Sequence, residues 1–115
     1  MATPGVLTEE QLYRFLEEHG DSRVKRQLLV FWGRHPRAKF EENAICYTLN
    51  RNRSDIDRAL RAQVKAGLVD TYMYKNVTLY SLTTNEERRR LVVGLTDIGW
   101  GRQQLKFRRI EKRGK

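Results

Sequence analysis

Residues 44–82 read AICYTLNRNRSDIDRALRAQVKAGLVDTYMYKNVTLYSL, and their apolar skeleton predicts a helix, a tight turn, a second helix and a β-hairpin. Ala44, Ile45 and Leu49 fall at helical spacing on one face. Asn50 follows where the first helix must stop, and asparagine is second only to glycine at taking the left-handed conformation that such a stop uses. Asn52 can cap the next helix, with Asp55 three residues on to meet the free N–H groups and the positive helix end. Ile56, Ala59, Leu60 and Val64 then repeat at three and four, and Gly67 closes the helix. Beyond it, residues 69–74 and 77–82 alternate and are rich in Val, Thr and Tyr, which predicts paired strands. Lys75-Asn76 makes a two-residue turn between them without the Asn-Gly signature.

By these residues the segment resembles the winged helix–turn–helix family of transcription regulators, in particular the small multiple-antibiotic-resistance and arsenical-repressor types. The carrying motif is S-x-I-x-R-A-L-x-x-x-V-x-A-G-L-V over residues 54–69, followed by Ser81-Leu82-Thr83 at a strand end. With its flanking helices the resemblance covers roughly residues 22–95. It implies a mainly α fold with a small β-hairpin (α+β), a winged helix–turn–helix. The implied function is sequence-specific binding of double-stranded DNA by a homodimer. Winged helices also serve as protein–protein modules, so the fold alone does not decide the function. Two positions depart from the pattern. Arg51 stands where the family usually has an apolar residue. Gln63 replaces the usual Leu, which bears on how deeply the end of the recognition helix is buried.

Outward from this segment, Thr8-Glu9-Glu10-Gln11 is a capping box, with Leu7 and Leu12 placed to staple it. The helix it starts runs to about His19, ends at Gly20, and has Leu12, Phe15 and Leu16 on its apolar face, with Glu17 and Glu18 toward water. A winged-helix core is complete without this element, so its apolar face either adds a layer to the domain or meets a second subunit. The resemblance favours the second subunit. Asp21 or Ser22 caps a helix over about 22–35, with Val24, Leu28, Phe31 and Trp32 as its buried stripe and Pro36 just past its end. Residues 37–40 read as a short extended piece, and Phe40 closes the core from that side. After the hairpin, Thr84 and Glu87 form another capping box for a helix over 86–95, with Leu91, Val92 and Leu95 on its apolar side. Arg88, Arg89 and Arg90 occupy successive positions of that helix and cannot all face one partner. The helical signal fades over 96–101, where Gly99 and Gly101 flank Trp100. Residues 1–101 thus read as one domain, with residues 1–7 loosely attached and 102–115 as a basic tail to which no structure is assigned.

The 115 residues carry a formal charge of +9 and a pI near 10.1, which favours polyanionic partners. The charge is lopsided. Residues 1–50 hold seven basic and seven acidic side chains, whereas 51–115 hold sixteen and seven. The tail alone contributes seven basic residues against Glu111, enough for a large salt-dependent contribution if it touches DNA. No stretch approaches the roughly 18 apolar residues that span a bilayer, and the N-terminus has no secretory pattern. The single Cys46 has no internal disulfide partner. The chain reads as cytoplasmic, with no membrane partner.

Burying Ile56, Leu60 and Val64 leaves Arg53, Ser54, Asp57, Arg58, Arg61 and Lys65 on the outer half of the second helix. An α-helix fits the major groove of B-DNA, and its N-terminal half reaches base edges. Arg53, Ser54 and Arg58 are therefore candidates for base contact. Arg61 and Lys65 are candidates for phosphate, and Arg51 for phosphate at the turn. Asp57 can accept from cytosine N4 or pair with Arg61 four residues on. The short wing offers Lys75 and Asn76 at its tip. There is no Gly-rich phosphate loop, G-x-S-x-G or H-E-x-x-H, so nothing predicts an enzyme. Cys46 reads as a buried structural thiol, and His19 and His35 as helix-end residues, so neither a metal nor a cofactor is predicted. The recognition helix carries no cysteines of the kind that arsenical-repressor types often use to sense metals. A small-molecule effector is not indicated: Phe15, Trp32 and Trp100 could line a cleft at a dimer interface, but ordinary core packing accounts for them better. Two rivals stand beside DNA binding. One is a protein-binding module using Leu12, Phe15 and the wing. The other is an RNA- or single-strand-binding module stacking bases on Tyr72, Tyr74 and Tyr80 with help from the tail.

Overall fold

The structure, a computed structural model, describes residues 8–97. Five helices and one hairpin follow in the order α1 (Glu9–His19), α2 (Arg23–Arg34), α3 (Glu42–Leu49), α4 (Arg53–Lys65), β1 (Val69–Tyr74), β2 (Val77–Leu82) and α5 (Glu86–Asp97). This is an α+β winged helix. Local chemistry sets most boundaries. Thr8 Oγ1 accepts from Gln11 N while Gln11 Oε1 accepts from Thr8 N, completing the capping box of α1. Ser22 caps α2 and Asn52 caps α4, each through a side-chain oxygen on the third backbone N–H. Asn50 ends α3 at φ 52°, and Gly67, at φ 78°, follows the end of α4. Both are left-handed positions where a β-carbon is costly for most residues.

The core is shared by all five helices and the base of the hairpin. Leu16, Trp32, Ile45, Ile56, Leu60 and Leu82 are each 1% exposed or less. β1 and β2 pair antiparallel from Val69↔Leu82 to Tyr74↔Val77. Phe40 exchanges two 2.8 Å backbone hydrogen bonds with Tyr80, so the short extended piece before α3 becomes a third partner for the hairpin. The Phe40 ring packs against Phe31, with centroids 4.8 Å apart.

Several expectations are corrected. Leu12, Phe15 and Leu16 are buried within the single chain, where α1 packs on α2 and α5. The apolar face of α1 is thus a layer of the domain; it is neither a bare surface for a second subunit nor a protein-docking face. Phe15 and Trp32 are core residues, as the sequence reading favoured. Ala44 faces solvent, so Ile45 carries the burial of α3 almost alone. The cap of α5 is Asn85, whose Oδ1 accepts from Arg88 N; Thr84 instead donates its backbone N–H to Asp70. Either residue offers a short acceptor, so the cap falls one residue beyond the predicted one, while the helix starts at Glu86 as expected and runs past Leu95 to Asp97. Gln63 is buried, at 2% exposure. Its Oε1 accepts from Trp32 Nε1 at 3.1 Å, and its Nε2 lies 3.5 Å from the Lys25 carbonyl. The polar residue thereby keeps the end of α4 fully seated on α2, because a buried amide is tolerated when its partners are present.

Helices α2 and α5 pack closely at Gly33. A β-carbon at Gly33 would collide with the Thr96 hydroxyl and lie 3.0 Å from the Val92 carbonyl oxygen. Arg26, also buried, donates to the Gly20 carbonyl at 3.1 Å and ties the end of α1 to α2. Leu7, Trp100 and the basic tail lie outside the described residues. No described helix is long and apolar enough to cross a membrane.

Candidate nucleic-acid interface

Helix α4 is buried on one side through Ile56, Ala59, Leu60 and Gln63. At 3.6 residues per turn, the opposite pole carries Ser54, Arg58, Arg61 and Lys65, and all four are exposed. Arg53 and Asp57 lie beside that pole, on the flank toward α3 and the hairpin. The structure therefore brings five of the predicted α4 contacts onto one solvent-facing surface, with Asp57 half-buried among them. Arg51 is half-buried, and its Nε donates to Gln27 Oε1 of α2 at 2.7 Å. It braces the turn against α2.

Two of the arginines are held by carboxylates through the same atom. Arg53 Nε donates to Glu42 Oε2 at 3.1 Å, and Arg61 Nε donates to Asp57 Oδ2 at 2.8 Å. Among the described residues, the Nη1 and Nη2 groups of both guanidiniums make no hydrogen bond, and no hydrogen bond or ion pair holds Arg58. Asp57 thus takes the second of the two roles open to it from sequence, pairing with Arg61. The pairs also set the local electrostatics. The Cys46 thiol is pushed up by burial and then by the Glu42 carboxylate. The Tyr80 hydroxyl is pushed up by burial, then by Glu42 and Asp57, with Arg61 and Arg53 pulling the other way. Tyr80 therefore lies within electrostatic reach of the charged flank of α4.

The wing turn places Lys75 and Asn76 at φ 48° and 68°, the left-handed pair of a type I′ turn. Both residues are exposed, as are Met73 (70%) and Tyr74 (61%) beside them. Strand register separates the tyrosines. Tyr72 and Tyr74 share one face, while Tyr80, opposite Thr71, lies on the other. Lys39 Nζ sits 4.1 Å from the Tyr72 ring centroid, covering that ring with a cation. The half-buried Glu42, the exposed Lys39 and the 89%-exposed Tyr47 are features that the sequence reading missed. Tyr47 carries a signal in its place off the apolar stripe of α3. Glu42 carries none, because its partner is 11 residues away across a turn. No described cluster of three His, Cys, Asp or Glu side chains could hold a metal ion.

These features together define a winged helix with a cationic, solvent-facing second helix in its helix–turn–helix. No family model matches the sequence, and no curated protein does. Among solved structures, the chain is similar in fold to HlyU from Vibrio cholerae N16961, at a TM-score of 0.62 and 15% identity, over 80% of this chain and 97% of that one. The reduced form of that protein matches with a TM-score of 0.63 and 15% identity, over 79% and 92%. The transcriptional regulator HlyU from Vibrio vulnificus CMCP6 matches with a TM-score of 0.58 and 17% identity, over 78% and 92%.

Proposed function

We propose that the protein is a transcription regulator that binds double-stranded DNA sequence-specifically as a homodimer, with α4 in the major groove. The observation that carries this reading is the outer pole of α4, where Ser54, Arg58, Arg61 and Lys65 stand exposed with the core wholly on the other side. A helix so presented matches the dimensions of the major groove and places donors at base edges and phosphates. In this reading Arg53, Ser54 and Arg58 contact bases or lie next to them. Arg61 and Lys65 contact phosphate, Arg51 supports the turn near the backbone, and Lys75 and Asn76 meet the sugar-phosphate edge. The net charge of +9 supports the same class of partner. The fold neighbour described as a transcriptional regulator is consistent with it. A stacking platform for single strands is less favoured, because Tyr80 lies on the opposite wing face from Tyr72 and Tyr74.

The test is selection of bound duplexes from a random-sequence pool with the full chain, followed by footprinting of the enriched sites. The expected result is a pseudo-palindromic site whose half-sites lie about one helical turn apart. Enrichment of no duplex sequence contradicts the proposal.

A further inference from the structure

Arg53 is the first residue of α4, where the unpaired N–H groups and the helix dipole already place positive charge. A guanidinium there is repelled by its own helix unless an anion lies beside it. Glu42 supplies that anion from a different element. It stands in the first turn of α3 with its side chain only 12% exposed, whereas the Arg53 side chain is 73% exposed. The bond runs from Arg53 Nε to Glu42 Oε2 at 3.1 Å. The two terminal nitrogens, Nη1 and Nη2, remain without hydrogen bonds among the described residues. That pair of nitrogens forms the planar fork that matches guanine O6 and N7.

The pair differs from Asp57–Arg61, which lies within one helix four residues apart, with Asp57 38% and Arg61 81% exposed on their side chains. Such a pair moves with its own helix surface and is weakly held. Glu42 instead anchors Arg53 to α3, so the fork is set relative to the helix–turn–helix as a whole. Arg58 has neither kind of support.

We propose that Glu42 is a positioning residue for base recognition: by holding Arg53 through Nε, it presents the Arg53 Nη1/Nη2 fork to a guanine in the major groove. The inference rests on the DNA-binding reading and deepens it, assigning specificity to Arg53 and its brace and leaving Arg58 as an adaptable contact. Glu42 touches no DNA in this account. It acts by removing rotamer freedom that Arg53 would otherwise lose on binding.

The experiment compares the full chain with Glu42→Gln, Arg53→Ala and the double variant, using enriched duplexes in which each base pair is replaced in turn. Arg53→Ala abolishes preference for guanine at one position of each half-site. Glu42→Gln weakens that same preference about twofold to tenfold, leaves preferences elsewhere unchanged, and keeps or strengthens binding to random duplex because one negative charge is gone. The double variant matches Arg53→Ala alone, since a brace has no effect without the group it braces. A purely structural role for Glu42 would instead lower all preferences together, with a fall in thermal midpoint, and would overturn the inference. Retention of the full guanine preference in Glu42→Gln, or additive effects in the double variant, would also overturn it while leaving the DNA-binding reading intact. If the unaltered chain enriches no duplex sequence, that reading fails and the inference with it.

Discussion

At the scale of single residues, Gln63 shows how a polar side chain can serve a core. Its amide is 2% exposed and satisfies Trp32 Nε1, which no apolar side chain can do. Gln63→Leu keeps the volume but leaves a buried indole N–H without its partner, and is expected to destabilise the fold by about 1–3 kcal/mol in urea unfolding. A neutral or stabilising result would show that water reaches the indole. His19 offers a second test. Burial against Phe15, with ring centroids 4.7 Å apart, is the main cause lowering its pKa from the usual 6.5; Glu18 opposes the shift, while Arg88 and Lys25 reinforce it. Neutral His19 therefore contributes stability above pH 6.5 that is lost as pH falls through the lowered value. His19→Gln should flatten the acid-side decline in urea midpoint between neutral and mildly acidic pH, whereas an unchanged decline would place its cause elsewhere. The sequence makes Asn50, Asn52 and Gly67 legible because each acts on backbone within a few residues of itself. It hides the Gln63–Trp32 bond, whose partners are 31 residues apart, and the Glu42–Arg53 bond, for the same reason.

At the scale of elements, the helix–turn–helix and hairpin are readable because capping chemistry and apolar period agree over residues 44–82. The role of α1 is less so. Its apolar stripe of Leu12, Phe15 and Leu16 announces burial without naming the surface that covers it, and that surface proves to be α2 and α5 of the same chain. The deciding feature is Gly33, which permits α5 to approach α2 closely enough for the Val92 carbonyl and the Thr96 hydroxyl to fill the space of a side chain. An isolated glycine inside a helical pattern gives no sign of which neighbour comes close. Gly33→Ala should improve the intrinsic propensity of α2 by about 1 kcal/mol, yet force the α2–α5 crossing apart at a cost of about 1–3 kcal/mol. A net loss of stability, read as a lower thermal midpoint, is the expected outcome. A gain would mean that the crossing yields at little cost.

At the scale of the whole molecule, the charge distribution and the fold lead to the same surface. Basic residues are concentrated after residue 50, and the described part of that half presents Arg53, Arg58, Arg61 and Lys65 around the exposed side of α4. Charge alone would attract any polyanion, so the central claim is narrower: α4, rather than diffuse charge, engages duplex DNA. The most direct measurement is fluorescence anisotropy of the full chain against its enriched duplex, a random duplex and a single strand across a salt series. It is paired with Arg53→Ala/Arg58→Ala and with a variant in which the seven basic residues of 102–115 are neutralised. The account predicts that the α4 variant loses most of the preference for the enriched duplex. The neutralised tail should keep that preference, with a shallower salt dependence, each lost phosphate contact reducing the slope by about 0.9. If neutralising the tail abolishes binding while the α4 variant leaves duplex preference intact, the recognition role assigned to α4 is contradicted.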